Sequence, residues 1–241
     1  GDTYLQSGTY ANTFTGTSAT GRLWIGGNTV GTVTLNGTND AIYTADHNQV
    51  IIDYGLFGTV KLGSANALAA ATENVQVFRG VLDLNGQTDV RANSITLQDS
   101  SSQLVNNDPV HAASYAGAVA LSGYAAQLGG AGDLTLSGTL SGTGLYKIGA
   151  GMLALTNDSF FANPDLYRSV WLADGTLALG EATSYDFGDV SSGMLTEFNF
   201  EIGTLKFSGP GDTTVSGGYY TDGGYADADW GGLRFATDGQ N

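Results

Sequence analysis

The chain has 241 residues, no cysteine and a formal net charge of −15, from 8 Lys and Arg against 23 Asp and Glu. This acidity argues against nucleic acid and anionic membrane surfaces as partners, because both would repel the chain. The missing cysteines exclude disulfides and thiolate metal sites, and no apolar run approaches the ~20 residues of a membrane helix. With 41% hydrophobic but only 13% charged residues, we expect a folded protein of a composition common outside cells.

Residues 1–30 form the first predicted segment, which is rich in Thr, Gly and Tyr. This composition favours β-structure but lacks the regular phrase that follows it. We expect this segment to form an N-terminal strand, a cap or a contact between subunits.

Residues 31–209 repeat a short phrase in which apolar residues alternate with polar ones. A period of two predicts strands with one buried face, so we expect the intervening Thr34, Lys61, Asp83 and Thr135 to point to water. The apolar pairs are Val33/Leu35, Val60/Leu62, Leu82/Leu84, Ile95/Leu97, Val119/Leu121, Leu134/Leu136, Leu153/Leu155, Leu177/Leu179 and Leu205/Phe207.

The spacing of the phrase separates the possible β architectures. Its glycine returns mostly after about 20 to 28 residues, with single intervals of 37 after Gly80 and 15 after Gly117. A sandwich or barrel would place a strand every ~8–12 residues, whereas a solenoid repeats once per coil. We therefore predict an all-β fold, a single-stranded right-handed parallel β-helix of roughly nine coils with like residues stacked on like.

The segment from Gly129 to Gly180 resembles the autotransporter-associated β-strand repeat of bacterial surface proteins. Lys147, Gly149, Gly151, Leu153 and Leu155 fit its Lys-x-Gly-x-Gly-x-Leu-x-Leu phrase. A second phrase, Gly-Thr-Leu-x-Leu-Gly, matches residues 175–180, and residues 62–87 look like another copy. The turn at residues 160–174 is bulkier and more aromatic than this repeat usually has. The resemblance implies a secreted or cell-surface β-helix, often an adhesin or a structural stalk.

The sequence gives little support for catalysis. His47 and His111 are more than sixty residues apart, without adjoining carboxylate clusters, and are interpreted as surface histidines. A β-helical polysaccharide lyase or hydrolase would need clustered acidic and basic residues on one strand face, whereas the eight basic residues are scattered. We therefore predict no enzymatic activity and no catalytic residues, with a polysaccharide-degrading enzyme as the least favoured alternative.

Residues 210–241 form a C-terminal segment rich in Gly, Tyr and Asp. Asp222, Asp227 and Asp229 offer oxygen ligands for a possible Ca²⁺ ion, with solvated acidic turns as the plainer interpretation. Aromatic side chains in the same segment could stack on sugar rings, close the end of the fold or contact a neighbouring molecule. These predicted contact residues are Tyr219, Tyr220, Tyr225 and Trp230.

The ends of a solenoid expose unpaired strand edges that must be capped or covered. Pairing of opposite ends between copies would give a head-to-tail filament, and folding of the two terminal segments over the ends is the equal alternative. We thus expect a non-enzymatic structural protein, extracellular or on a bacterial cell surface, serving as a stalk, matrix element or filament subunit. The alternative is a surface adhesin that binds host or environmental glycans.

Overall fold

The computed structural model describes residues 31–37, 58–68, 74–90, 94–122, 126–142, 144–157 and 168–180, and separate strands in the rest of the chain as far as residue 220. These described residues form 27 short strands and no helix. Accordingly, no helix among them is long and apolar enough to cross a membrane.

The strands are short because glycine, asparagine and serine interrupt the alternating phrase after each apolar pair. In chain order the first fourteen are β1 (Thr3–Leu5), β2 (Gly8–Tyr10), β3 (Gly16–Ser18), β4 (Leu23–Ile25), β5 (Thr32–Leu35), β6 (Ile42–Thr44), β7 (Gln49–Ile52), β8 (Thr59–Leu62), β9 (Asn74–Val77), β10 (Val81–Asp83), β11 (Ser94–Leu97), β12 (Gln103–Val105), β13 (Ala113–Tyr115) and β14 (Ala118–Leu121). The others are β15 (Ala126–Gly129), β16 (Leu134–Leu136), β17 (Leu140–Gly142), β18 (Gly144–Ile148), β19 (Met152–Leu155), β20 (Ser159–Phe160), β21 (Arg168–Leu172), β22 (Thr176–Leu179), β23 (Ser184–Asp186), β24 (Thr196–Phe200), β25 (Thr204–Phe207), β26 (Thr214–Ser216) and β27 (Tyr219–Tyr220).

The strands assemble into three sheets and one separate pair. Sheet 1 has the order β1-β4-β7-β9-β11-β14-β17-β20-β23-β26, and sheet 2 has the order β2-β5-β8-β10-β12-β15-β18-β21-β24-β27. Sheet 3 has the order β13-β16-β19-β22-β25, and β3 pairs with β6. Strands that pair are parallel and come from successive passages of the chain, as in β10 with β12 and β11 with β14.

The chain winds through the sheets in a fixed order. From β13 onwards it runs through sheet 3, sheet 1 and sheet 2 in turn, and each new strand pairs with its counterpart from the preceding passage. This path confirms the predicted all-β solenoid of stacked parallel strands.

The core consists of the apolar residues that alternate along the strands. The predicted pairs are buried wherever their side chains are described, except that Leu205 is only partly buried against the core. In sheet 1 the register aligns Ile95 with Val75 and with Val119, so apolar residues stack on apolar residues along the fold. The side chain of Phe207 is outside the described residues.

The repeated phrase does not form a single column. It occupies sheet 2 in β5, β8 and β10, sheet 1 in β11 and β14, and sheet 3 in β16, β19, β22 and β25. The long interval after Gly80 and the short one after Gly117 are the two places where the phrase changes sheet. The irregular spacing thus reflects a change of sheet within a continuous solenoid.

One polar residue that the alternating pattern predicts to be exposed is buried. Thr34, Lys61 and Thr135 are partly exposed, as predicted, but Asp83 is only 3% exposed. Its Oδ1 atom accepts hydrogen bonds from the backbone N–H groups of Asn85, at 2.9 Å, and Asn107, at 3.0 Å. The prediction that Asp83 points to water is therefore wrong, because its carboxylate is used at a corner of the fold.

Candidate functional site

The residues predicted as ligands or contacts lie mostly outside the described residues. Tyr219 and Tyr220 form β27, the last strand of sheet 2, but their side chains are not among those described. The predicted calcium ligands Asp222, Asp227 and Asp229, and the aromatic Tyr225 and Trp230, lie outside the described residues altogether. Within the described part of the chain, no group of three or more His, Cys, Asp or Glu side chains could hold a metal ion.

The outward face of sheet 2 carries a column of four large, uncharged side chains. Register aligns Gln103 with Gln127, Gln127 with Tyr146, and Tyr146 with Trp171. Their neighbours along the strands are buried, so by strand alternation these four side chains face outwards, and each is partly exposed. We call this column the outer ladder.

The first half of the outer ladder is made of amides. The Nε2 atom of Gln103 donates to Oε1 of Gln127 at 2.8 Å, and Nε2 of Gln127 lies 3.5 Å from the carbonyl oxygen of Ser100. A glutamine amide offers two N–H donors and an acceptor oxygen with two lone pairs. The two side chains therefore retain hydrogen-bonding capacity towards solvent beyond the bond that joins them.

The second half of the outer ladder is aromatic. The rings of Tyr146 and Trp171 have centroids 5.9 Å apart and planes inclined by 25°. Carbon atoms in direct face-to-face contact would lie about 3.5–4.0 Å apart, so a centroid separation of this size describes an offset arrangement. Each ring consequently leaves part of its face uncovered by the other.

Small residues border part of the outer ladder. Two positions further along each strand, Gln127 is followed by Gly129, Tyr146 by Ile148 and Trp171 by Ala173. Gly129 is buried, and a Cβ there would meet the carbonyl oxygen of Ile148, so its place is filled by the next strand. Ala173 is partly exposed and has only a methyl group, so the surface is low on that side of Ile148 alone.

Where the chain passes from sheet 2 to sheet 3, it forms a corner that contains buried polar side chains. Of the four polar residues that are buried in the described part of the chain, Asn106 and Lys147 lie at this corner, and Asp83 accepts a hydrogen bond from its Asn107 N–H. The fourth, Ser102, lies before β12. No described buried side-chain nitrogen or oxygen lacks a hydrogen-bond partner. Because a buried unpaired polar group is costly, these contacts fix how successive coils meet at the corner.

Asn106 joins three passages of the chain. Its Oδ1 accepts from the N–H groups of Gly86, at 2.9 Å, and Asp108, at 3.2 Å. Its Nδ2 donates to the carbonyl oxygens of His111 and Asp133, both at 2.8 Å. The amide is fully buried and uses both its donor and its acceptor capacity.

Lys147 occupies an inward position that its register partners Leu128 and Leu172 fill with apolar side chains. It is fully buried, and its Nζ donates to the carbonyl oxygens of Ile148 at 2.9 Å, Gly149 at 2.6 Å and Asp174 at 3.1 Å. Burial lowers the pKa of Lys147 to about 8, while the carboxylates of Asp174 and Asp133 act in the opposite direction. The stem thus packs as an apolar residue and the amine binds corner carbonyls.

The longer corner at residues 106–112 carries a hydrogen-bonded pair of side chains at the surface. His111 Nδ1 lies 2.8 Å from Asp108 Oδ2, and the histidine side chain is 71% exposed. The hydrogen bond from His111, followed by that from the Val110 N–H, lowers the pKa of Asp108. The interpretation of His111 as a surface histidine is confirmed, whereas His47 lies outside the described residues.

Sequence reasoning missed the outer ladder and the buried corner residues. The signal for Trp171 is the unusually aromatic segment at residues 160–174, which the repeat predicts to be a turn but which contains the strand β21. Its partner Tyr146 lies in another passage of the chain. The sequence indicates Lys147 only as part of a repeat phrase, because the third carbonyl around its amine, that of Asp174, comes from the next passage of the chain.

Comparisons with known proteins add no identification. No family model, no curated protein and no solved structure matches the chain.

Proposed function

We propose that the protein is a non-enzymatic structural element, a β-solenoid rod that serves as a stalk, matrix component or filament subunit outside the cell or on a bacterial surface. The observation that carries this proposal is the parallel stack of strands running from β1 and β2 to β26 and β27 in sheets 1 and 2. A stack of this kind is a stiff element whose length grows with the number of coils, and stiffness over distance is what a stalk or fibre needs.

The dimensions follow from the winding that we propose, which is right-handed with roughly nine coils. The hand is supported by the strong bias of parallel crossovers, and the coil number by the ten strands in each of the two large sheets. At ~4.8 Å per coil the rod would be about 40 Å long. The resemblance of residues 129–180 to the autotransporter-associated repeat supports the surface location.

The ends of the stack support a head-to-tail assembly. Among the described strands, β1 and β2 stand at one end of sheets 1 and 2, and β26 and β27 stand at the other. Edge strands of parallel sheets pair readily with a further strand, and a contact between two unlike ends generates an open filament. We propose that copies of the chain join by this contact.

Electron microscopy and sedimentation across a range of protein concentrations test the assembly. Wild-type protein is expected to form rods that lengthen as concentration rises. Thr9→Lys, in the end strand β2, should shorten them, because lysine on an edge strand opposes pairing. Its register partner Thr34 in the internal strand β5 provides the matched control, since Thr34→Lys leaves the end strands unchanged. Discrete monomers at every concentration would refute the filament.

Carbohydrate binding by the C-terminal aromatic residues stays a separate prediction. Glycan-array screening of wild type against a variant with Tyr219, Tyr220 and Trp230 changed to Ala addresses it directly. The outer ladder on sheet 2 is a different surface and supports glycan binding on independent grounds.

A further inference from the structure

The outer ladder presents two kinds of surface in one line. Gln103 and Gln127 supply amide donors and acceptors, and Tyr146 and Trp171 supply aromatic faces. The four side chains occupy four adjacent strands, so they extend over about 14 Å at ~4.8 Å per strand. A linear ligand lying along the rod would meet the amides first and the rings next.

The chemistry of this line matches a neutral carbohydrate. A sugar ring has an apolar C–H face that stacks on an aromatic ring, and a rim of hydroxyl groups that exchange hydrogen bonds with amides. The four ladder side chains are uncharged, and the whole chain carries a net charge of −15. Polyanionic ligands such as acidic polysaccharides or nucleic acids would therefore be repelled.

One border of the ladder is small. Ala173, two positions after Trp171, has only a methyl group and is partly exposed. The offset between the two rings leaves part of each face uncovered by the other. An aromatic pair that only stabilised two neighbouring strands would need neither this small neighbour nor the adjoining amides.

We propose that the outer ladder on sheet 2 is a binding site for a neutral linear glycan lying parallel to the rod. The sugar rings stack on Tyr146 and Trp171, and hydroxyl groups bind the amides of Gln103 and Gln127. The site lies on the side of the rod, so it does not require the head-to-tail assembly, and a monomer binds as well as a filament.

Isothermal titration calorimetry with defined hexasaccharides tests the proposal. Cellohexaose and mannohexaose represent neutral glycans, and hexagalacturonate represents acidic ones. At least one neutral hexasaccharide should bind the full chain, and hexagalacturonate should bind at least about tenfold more weakly. Absence of binding by both neutral hexasaccharides, or tighter binding of the acidic one, would overturn the proposal.

Variants then locate the site. Trp171→Leu and Tyr146→Leu keep an apolar side chain but remove the ring, and each should weaken binding about tenfold. Thr135→Ala, on the outward side of sheet 3, is the matched control and should bind as wild type does. Loss of binding in Trp230→Leu but not in Trp171→Leu would place the site in the C-terminal segment and refute the ladder.

A second pair of substitutions separates binding from folding. Trp171→Leu could lose binding because it is less stable, which a markedly lower melting temperature would show. The double variant Gln103→Ala/Gln127→Ala then tests the binding site, because it changes only partly exposed amides. We expect it to melt close to wild type and to bind several-fold more weakly. Unchanged affinity in the folded double variant would overturn the role of the amides and with it the proposed site.

Discussion

The corner between sheets 2 and 3 is built in two different ways within one molecule. After β12 it occupies residues 106–112 and centres on Asn106, which donates to two carbonyls and accepts from two N–H groups. After β18 it shortens to residues 149–151 and centres on Lys147, which can only donate and binds three carbonyls. We call these the Asn corner and the Lys corner.

The two corners differ in which backbone groups their buried polar residue binds. A long corner exposes both N–H and C=O groups that the strands leave unpaired, and an amide can serve both kinds. In the short corner the Gly151 N–H is bound by the Gly130 carbonyl at 3.0 Å, and Lys147 binds only carbonyls. A carbonyl oxygen that already accepts one hydrogen bond has a second lone pair. The ammonium group of Lys147 has three N–H donors and can bind three such oxygens.

The largest expected effect comes from breaking the Asn corner. Asn106→Leu keeps the approximate volume but leaves the N–H groups of Gly86 and Asp108 and the carbonyls of His111 and Asp133 without their side-chain partner. At about 1 kcal/mol or more for each, we expect the free energy of unfolding to fall by about 4 kcal/mol. Denaturation by guanidinium chloride measures it.

The neighbouring residue provides a control for this substitution. Asn107 is exposed, so Asn107→Leu should change the free energy of unfolding by no more than about 0.5 kcal/mol. Equal effects of the two substitutions would show that the buried amide does not hold the corner together.

A pH titration tests the Lys corner, with a somewhat smaller expected effect. The pKa of Lys147 falls from 10.5 to about 8 in the folded chain, so between these values the unfolded chain binds the proton more tightly. Stability contributed by this group therefore rises with pH across that range. Relative to Lys147→Met, the wild type should gain up to about 3 kcal/mol of unfolding free energy between pH 8 and pH 10.5.

The same experiment has an informative opposite outcome. Three carbonyls around Nζ favour the charged amine, whereas burial disfavours it. If wild type lost stability relative to Lys147→Met as pH rises, the carbonyls would outweigh burial and the lowered pKa would be wrong. Lys61→Met, which removes a partly exposed lysine from the outward side of sheet 2, corrects for the change in net charge.

The two corners also mark how far the sequence predicts this fold. Leu134 and Leu136, or Leu153 and Leu155, could be assigned to a buried face because period-two alternation alone determines which side of a strand they occupy. The sheet that each phrase joins could not be assigned, since the phrases at Gly31 and Gly132 are nearly the same although one belongs to sheet 2 and the other to sheet 3.

Buried polar residues and surface pairs depend on contacts between passages of the chain. Asn106 looks like any turn asparagine until the carbonyl of Asp133 is placed beside it, and Asp83 looks like an outward strand residue until Asn107 is. The pairing of Tyr146 with Trp171 follows from register, which the alternating pattern fixes within a strand but not between strands. The candidate site was therefore the part of the molecule least accessible from sequence.

The smallest expected effect concerns the rigidity of the Asn corner relative to that of the Lys corner. Gly86, whose N–H donates to Asn106, and Gly175, which follows the Asp174 carbonyl that Lys147 binds, have similar left-handed φ angles of 72° and 67°. Alanine should therefore impose a similar strain of about 1 kcal/mol on both. Their surroundings differ. A Cβ at Gly86 would lie 2.7 Å from the Cβ of exposed His111, whereas at Gly175 it would lie 2.5 Å from the carbonyl oxygens of both Gly149 and Gly151.

The Cβ of His111 moves only with its backbone, but that backbone lies in a corner whose residues 109–112 are exposed and can shift. The backbone oxygens at Gly175 belong to the short corner beside the amine of Lys147. We therefore expect Gly175→Ala to lower the free energy of unfolding by about 2 kcal/mol more than Gly86→Ala does. Guanidinium denaturation of the two variants, with hydrogen exchange in the peptides that cover each corner, measures the difference. Equal losses would mean that the Lys corner relaxes as readily as the Asn corner, and that the number of carbonyls around Lys147 does not make it rigid.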